Sequence, residues 1–285
     1  MKFATFELYG RVATGCVDND QLVALPALAA QDMAAWLIQP PERVASALAA
    51  ARADAADVVS WSKARLLPAV PAPGKIVCLG LNYADHAAEG GHAKPEFPSF
   101  FMRGASSLAA HGAPMVRPQV SDTFDFEAEL AVIVGRRSRH LAPLNALAAV
   151  AGYTCFNDGS VRDWQRRTSQ WTIGKNFDAT GPLGPWVVPA AELPAGAAGL
   201  KIESRLNGQV MQSSNTSLML TSVVDALCLL TQAMTLEPGD VIAMGTPSGV
   251  GHARKPPVFM RGGDRIEVEI ERIGVLANPV VDEQR

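Results

Sequence analysis

The stretch FDFEAELAVIVG, residues 124–135, is an apolar run with acids at alternate positions: Asp125, Glu127 and Glu129. Its β-branched second half predicts a buried strand, and side chains two apart on a strand project to one face. Glu127 and Glu129 then stand side by side, and two like charges resist joint burial unless a cation lies between them. A third carboxylate in a comparable setting is Asp158, which closes the apolar run AGYTCFND at 151–158. Three convergent carboxylates, with no Cys or His among them, suit a hard, oxygen-seeking dication: Mg²⁺, Mn²⁺ or Ca²⁺. Two plainer readings stay open on spacing alone. Asp125, Glu127 and Glu129 can form a solvated strand face, and Asp158 can cap a helix that follows.

Outward from this run the texture is that of strands. KIVCLG, VAGYTCF, GPWVV, KIESRL, DVIAMG and RIEVEIE join LAVIVG as candidates, punctuated by Pro182, Gly184, Pro185, Pro238, Gly239, Gly262 and Gly263. Helices are expected over 143–150, 160–167 and 217–234, the last with Leu220, Val223, Val224 and Leu227 on one face and Thr216 or Ser217 as cap. Strands without regular βαβ alternation predict a mixed α/β fold, mostly β and mostly antiparallel. Residues 1–68 read differently. A small hairpin broken at Asp18-Asn19-Asp20 precedes Ala-rich helical stretches at 28–37 and 42–56, and the proline-rich LLPAVPAPGK reads as a linker. The expected organisation is a small N-terminal α+β domain, 1–68, and a catalytic domain, 69–285.

Composition narrows the class. Of 285 residues, 48% are hydrophobic and 19% charged, the balance of an ordinary globular chain. The net charge of −3 without a basic block gives no footing for nucleic acid. Glu7 interrupts any signal-peptide core, and Asp225 marks the greasiest long segment as an amphipathic helix rather than a membrane span. The four cysteines lack metal spacing, and Cys78, Cys155 and Cys228 sit in apolar surroundings as expected free thiols, so a reduced, cytoplasmic protein is predicted.

Three further segments carry chemistry. In GLNYADHAAEGG, His86 and Glu89 lie three apart; on a helical turn they pair, Glu89 orienting an imidazole able to deprotonate water, with Gly90-Gly91 as the hinge of a lid. In GSVRDWQRRTSQWTIGKNFD, Arg162 and Gln165 share a helical face near Asp158, and Lys175 suits a donor to developing negative charge. In GDVIAMGTPSGVG, the turn at Gly245-Thr246-Pro247 offers backbone N–H groups and a hydroxyl to a carboxylate or oxo group. An incidental loop pair, a surface salt bridge and a solvated lysine are the plainer alternatives.

Taken together, KIVCLGLNYADHAAE, FDFEAELAVIVGR, VAGYTCFNDGSVRDWQ, GKNFDATGPLGPWVV, RLNGQVMQ and LEPGDVIAMGTPSGVG resemble the fumarylacetoacetate hydrolase family, in family order over roughly residues 75 to 280. The resemblance implies a β-roll catalytic domain, a divalent metal (usually Mg²⁺, sometimes Mn²⁺ or Ca²⁺) and a homodimer. By position, Glu127, Glu129 and Asp158 match its metal ligands, His86 and Glu89 its water-activating pair, and Lys175 the lysine near the metal. Arg162, Gln165, Tyr83, Arg103 and Thr246 fall on the substrate side. Arg103 stands where many members have lysine, and Gly159 and Val161 where many have a β-branched residue and alanine; these departures bear on the substrate. The implied reaction is metal-dependent hydrolysis of a C–C bond in an acylpyruvate or 1,3-diketo acid, as in aromatic catabolism. Decarboxylation of oxaloacetate-like 2-oxo acids, or keto–enol tautomerisation, is the alternative on the same site. A metal that merely ties strands together is the non-catalytic reading.

Overall fold

The structure is a computed structural model that describes residues 1–28, 32–54, 57–89 and 97–284. The predicted hinge at Gly90-Gly91 lies outside the described residues. The decisive run forms the strand Ala128–Val134, fully buried and paired antiparallel with Val150–Asn157 on one side and Val241–Ala243 on the other. Beyond these, Val241–Ala243 lies parallel to Ile76–Gly80, which pairs with Ser99–Arg103. On the opposite flank Val150–Asn157 pairs with Gly181–Pro189. A second sheet runs Gln209–Asn215, Lys201–Leu206, Arg265–Ile270, Gly274–Asp282 and Met115–Arg117. Among the described residues the pairing is mostly antiparallel, so the expected mixed, mostly β fold is the observed one.

The period-2 alternation of the central strand explains how the core is divided. Ala128, Leu130, Val132 and Val134 face the second sheet, meeting Ile202, Val268, Ile270 and Leu276 together with Leu227 and Leu230 of the helix Val223–Ala233. Ala131 and Ile133 face the other way, toward Phe3, Trp36, Ile76 and Phe156. Glu127 and Glu129 have this second parity, at the end of the face where the apolar filling stops. Residues 1–68 join the same sheet: Phe3–Leu8 pairs antiparallel with Gly181–Pro189 at Phe3↔Val187. The proline-rich stretch is packed, with Ala69 N–H bonded to Leu183 O and Ala69 O accepting from Thr5 Oγ1 at 2.8 Å.

Several predicted elements change shape for local reasons. The long helix spans only Val223–Ala233, because Ser222 and Asp225 form a reciprocal capping box there, while Thr216–Leu218 is a separate short turn. The helix expected at 143–150 shrinks to the turn Ala146–Ala149, since Val150 already pairs with Val134. The helix expected from Ser160 is Arg162–Gln165, because Ser160–Val161 pairs as a strand with Phe124–Asp125. The four cysteines are free; Cys16, Cys78 and Cys155 are buried and Cys228 is half-buried. Burial pushes the Cys155 thiol up to about 12, which keeps it protonated and inert. No described helix is long and apolar enough to cross a membrane.

Candidate active site

Where the Ala128–Val134 strand begins, the chain brings three acids together. Glu127 precedes the strand, its N–H bonded to Asn157 Oδ1 and its carbonyl accepting from Asp158 N–H, both at 2.9 Å. These bonds lock Asp158 against the strand end, where it is a turn residue rather than a helix cap, since the helix starts at Arg162. Carboxylate oxygens of Glu127, Glu129 and Asp158 all lie within 4.8 Å of one another, and all three residues are buried. The turn needs Gly159: a Cβ there would sit 2.1 Å from the Thr180 carbonyl oxygen. Gly159 therefore serves close packing.

Cations surround the acids unevenly. Lys175, itself buried, donates through Nζ to Glu127 Oε2 at 2.7 Å and to Asp158 Oδ2. Arg162 donates through Nε to Asp125 Oδ2 at 2.9 Å and through Nη1 to Gln165 Oε1 at 2.9 Å, and its Nη2 lies 2.6 Å from Glu127 Oε1. Arg103 donates to Asp158 Oδ1, to Gly159 O at 3.1 Å and to Thr180 Oγ1 at 2.9 Å. Four buried carboxylates, counting Asp125, thus face three buried cations. Glu129 is the acid left over: its partner is the Gly245 N–H at 3.0 Å, and no described cation forms an ion pair with it.

Protonation follows this pattern. Burial tends to raise the pKa of Glu127, but the charges of Arg162 and Lys175 outweigh it and hold the carboxyl below the ordinary range. For Glu129, burial and then the neighbouring negative charges of Asp158 and Glu127 act together and push its pKa well up. Burial works against the Lys175 ammonium, yet Asp158 and Glu127 more than offset it and keep the lysine charged. An all-oxygen donor set short of one positive charge fits a hard dication, which Glu127, Glu129 and Asp158 would hold.

His86 Nδ1 lies 3.1 Å from Glu89 Oε1 on the short helix Ala84–Glu89, as the spacing anticipates. That helix is pinned to the loop after Val241–Ala243. The Glu89 carboxylate accepts from Gly249 N–H at 2.9 and 3.0 Å, and Asp85 Oδ2 accepts from Ser248 Oγ at 2.7 Å. The glycine turn expected to bind a substrate carboxylate binds the protein's own, since Gly245 N–H serves Glu129. Thr246 Oγ1 accepts from Gln212 Nε2 at 2.7 Å, and Gln212 Oε1 accepts from Ala128 N–H and Ser204 Oγ, each at 2.9 Å. Gln212 so ties the loop to the acid-bearing strand.

A cavity of about 400 Å³ collects most of these groups: His86, Glu127, Glu129, Arg162, Gln165, Lys175 and Thr246 line it. Four expected site residues do not line it. Asp158 stays just outside the lining, although its carboxylate lies within 4.8 Å of those of Glu127 and Glu129. Glu89 stands behind His86. Arg103 stands behind Asp158 with its guanidinium engaged by protein, which corrects the expectation that it holds a substrate carboxylate. Tyr83 is fully buried with a hydroxyl that lacks a hydrogen-bond partner among the described residues, and burial, then the charge of Glu129, raises its pKa. Arg162 lines the cavity, but all three of its nitrogens face protein partners. Sequence reading missed His252, Arg166, Phe101 and Trp171, which also line the cavity. His252 Nδ1 lies 3.1 Å from Asp125 Oδ2, whose carboxylate also accepts from the N–H groups of Gly251 at 2.8 Å and His252 at 3.0 Å. Its one available signal is its place at the end of the glycine-rich loop.

Residues 75–281 match the model of the fumarylacetoacetate (FAA) hydrolase C-terminal family. The chain belongs to the fumarylacetoacetate hydrolase family. A mitochondrial oxaloacetate tautomerase of Homo sapiens is 44% identical over 226 residues, which are 79% of this chain and 72% of that one. Among solved structures, the fumarylacetoacetate hydrolase of Exiguobacterium antarcticum is 35% identical with a TM-score of 0.81, over 99% of this chain and 100% of that one. A 5-carboxymethyl-2-hydroxymuconate delta-isomerase from Mycobacterium smegmatis is 30% identical with a TM-score of 0.80, over 99% of this chain and 100% of that one. Members of this family with such names are enzymes, and the protein is an enzyme of the fumarylacetoacetate hydrolase family.

Proposed function

We propose that the protein catalyses keto–enol exchange in small 2-oxo acids of the oxaloacetate type. The observation that carries this reading is the junction, in one cavity, of a buried acid set short of one positive charge and an imidazole oriented by a carboxylate. A bound dication, with Mg²⁺ or Mn²⁺ the proposed ion, would supply Lewis acidity toward a 2-oxo acid's oxygens and leave the buried set one charge positive, a match for a carboxylate. His86 does the proton work: Glu89 holds Nδ1, and Nε2, without a partner among the described residues, takes or gives the proton at the carbon next to the carbonyl. Lys175 and Arg162 keep a positive potential where enolate charge grows. The Gln165 amide nitrogen and the Thr246 hydroxyl hydrogen remain for neutral hydrogen bonds to the substrate. The similarity to an oxaloacetate tautomerase and to an isomerase supports exchange over bond cleavage.

Hydrolysis of a C–C bond in acylpyruvates or 1,3-diketo acids is the second reading, favoured by the His86–Glu89 pair, which equally suits activation of water, and by the similarity to a fumarylacetoacetate hydrolase. Decarboxylation would draw on the same enolate. Residues 1–68 are proposed as a docked unit outside the chemistry, since none of the described ones lines the cavity, and the working form is proposed to be a homodimer. The test is to follow decay of enol-oxaloacetate by ultraviolet absorbance with Mg²⁺, with EDTA, and with the His86→Ala variant, alongside product analysis on acylpyruvates. Acceleration that needs both Mg²⁺ and His86 is expected. Cleavage of acylpyruvates with no acceleration of enol decay would overturn the tautomerase reading in favour of the hydrolase.

A further inference from the structure

We propose that Arg166 reads the second carboxylate of a dicarboxylic 2-oxo acid and makes the enzyme selective for diacids; this rests on the function proposed above. A diacid bound by its 2-oxo acid end at the buried acids carries a second negative charge toward the cavity mouth, where a cation must meet it. The buried cations are already engaged: Lys175 by Glu127 and Asp158, Arg162 by Asp125, Glu127 and Gln165, and Arg103 by Asp158 behind the cavity wall. Arg166 also lines the cavity, and its side chain has neither an ion pair nor a hydrogen bond among the described residues. Its backbone is set by the turn that carries Arg162 and Gln165, with its N–H bonded to Arg162 O at 3.1 Å. The next residue differs: Arg167 turns away and lies over the Trp164 ring at 3.7 Å.

The rim beside Arg166 is ordered by its own local contacts. Thr168 Oγ1 bonds the carbonyl and the N–H of Gln170, each at 3.1 Å, closing a tight turn. Trp171 then packs edge-on to Phe101 with ring centroids 5.6 Å apart, over Gly80, where a Cβ would meet its ring at 2.1 Å. Thr168, Trp171 and Phe101 line the cavity with Arg166. A guanidinium stays charged at any working pH and offers a planar fork to a carboxylate. Because Arg166 is exposed, water screens the contact, and its loss costs on the order of tenfold in affinity rather than thousands.

The experiment compares oxaloacetate with its 4-methyl ester on the magnesium-loaded wild type, Arg166→Gln and Arg166→Lys, with thermal melts to verify folding. The ratio of kcat/KM for diacid over ester is expected to fall ~10-fold in Arg166→Gln, through KM, and to recover in part in Arg166→Lys, which keeps the charge but not the fork. An unchanged ratio overturns the proposal. Calorimetric titration with oxaloacetate and with oxalate, which has only the chelating end, decides Arg166 even if the wild type turns over neither substrate, the result that would sink the proposed function alone. Weaker binding of oxaloacetate but not of oxalate in Arg166→Gln supports the subsite, and equal changes in the two overturn it.

Discussion

Binding of a dication should expel about one proton, from Glu129. The perturbation is Mg²⁺ or Mn²⁺ added to metal-free protein. Arg162 and Lys175 neutralise Asp125, Glu127 and Asp158 together with Arg103, which leaves one carboxyl, Glu129, without a counter-cation. Burial and the charges of Asp158 and Glu127 raise its pKa, so above the ordinary glutamate value of about 4.3 it still carries a proton that the metal must displace. The sign follows: a raised pKa in the metal-free state makes apparent metal affinity climb as pH rises, ~10-fold per unit, until Glu129 ionises by itself, and level off above that. Calorimetry in two buffers of different ionisation enthalpy counts the proton directly. Glu129→Gln should abolish the release and weaken binding by more than the ~100-fold that loss of an outer-shell partner can cost. Equal heats in the two buffers for the wild type, across the range where affinity is measurable, would show that Glu129 is already ionised, and the charge-imbalance reasoning would be wrong.

Three further outcomes are expected. Arg103→Met strips a fully enclosed guanidinium from Asp158, Gly159 O, Thr180 and Ser107, and breaking a buried pair of this kind costs about 3–5 kcal/mol. For a chain of this length that is a drop in melting temperature of about 5–8 °C, and a melt within a degree of wild type would assign Arg103 little structural weight. His86→Ala should retain the metal, measured by equilibrium dialysis, while turnover falls ~100-fold or more, the scale of a lost general acid–base; loss of metal with the imidazole would make His86 a ligand instead. Gly80→Ala places a methyl group where the Trp171 ring lies, so Trp171 should swing out, shifting tryptophan emission to the red and raising KM with little change in the melt, whereas unchanged emission and KM would remove Trp171 from the rim.

Reading the sequence located the acids because alternation along a strand is a local property. Glu127 and Glu129 share a parity in any register, and Asp158 ends a run that had to be a strand. The same locality made the His86–Glu89 pair visible, since three residues apart is one helical turn. It also misjudged helix lengths, because whether 160–161 is a helix start or a strand depends on a partner, Phe124–Asp125, that lies far back in the chain.

Residue types and spacings by themselves pointed to a mostly β fold, to three carboxylates able to converge and to an imidazole–carboxylate pair, with a solvated strand face, a helix cap and an incidental pair left open. Only the tertiary structure decided what the cations do. Arg103, Arg162 and Lys175 looked free to meet a substrate, and folding committed each of them to an acid more than ten residues away in sequence, leaving Glu129 unbalanced and Arg166 unclaimed. The physical reason is that charge compensation in a buried site acts through space between segments that meet only when the sheet closes, and no periodicity along the chain encodes which cation will reach which carboxylate.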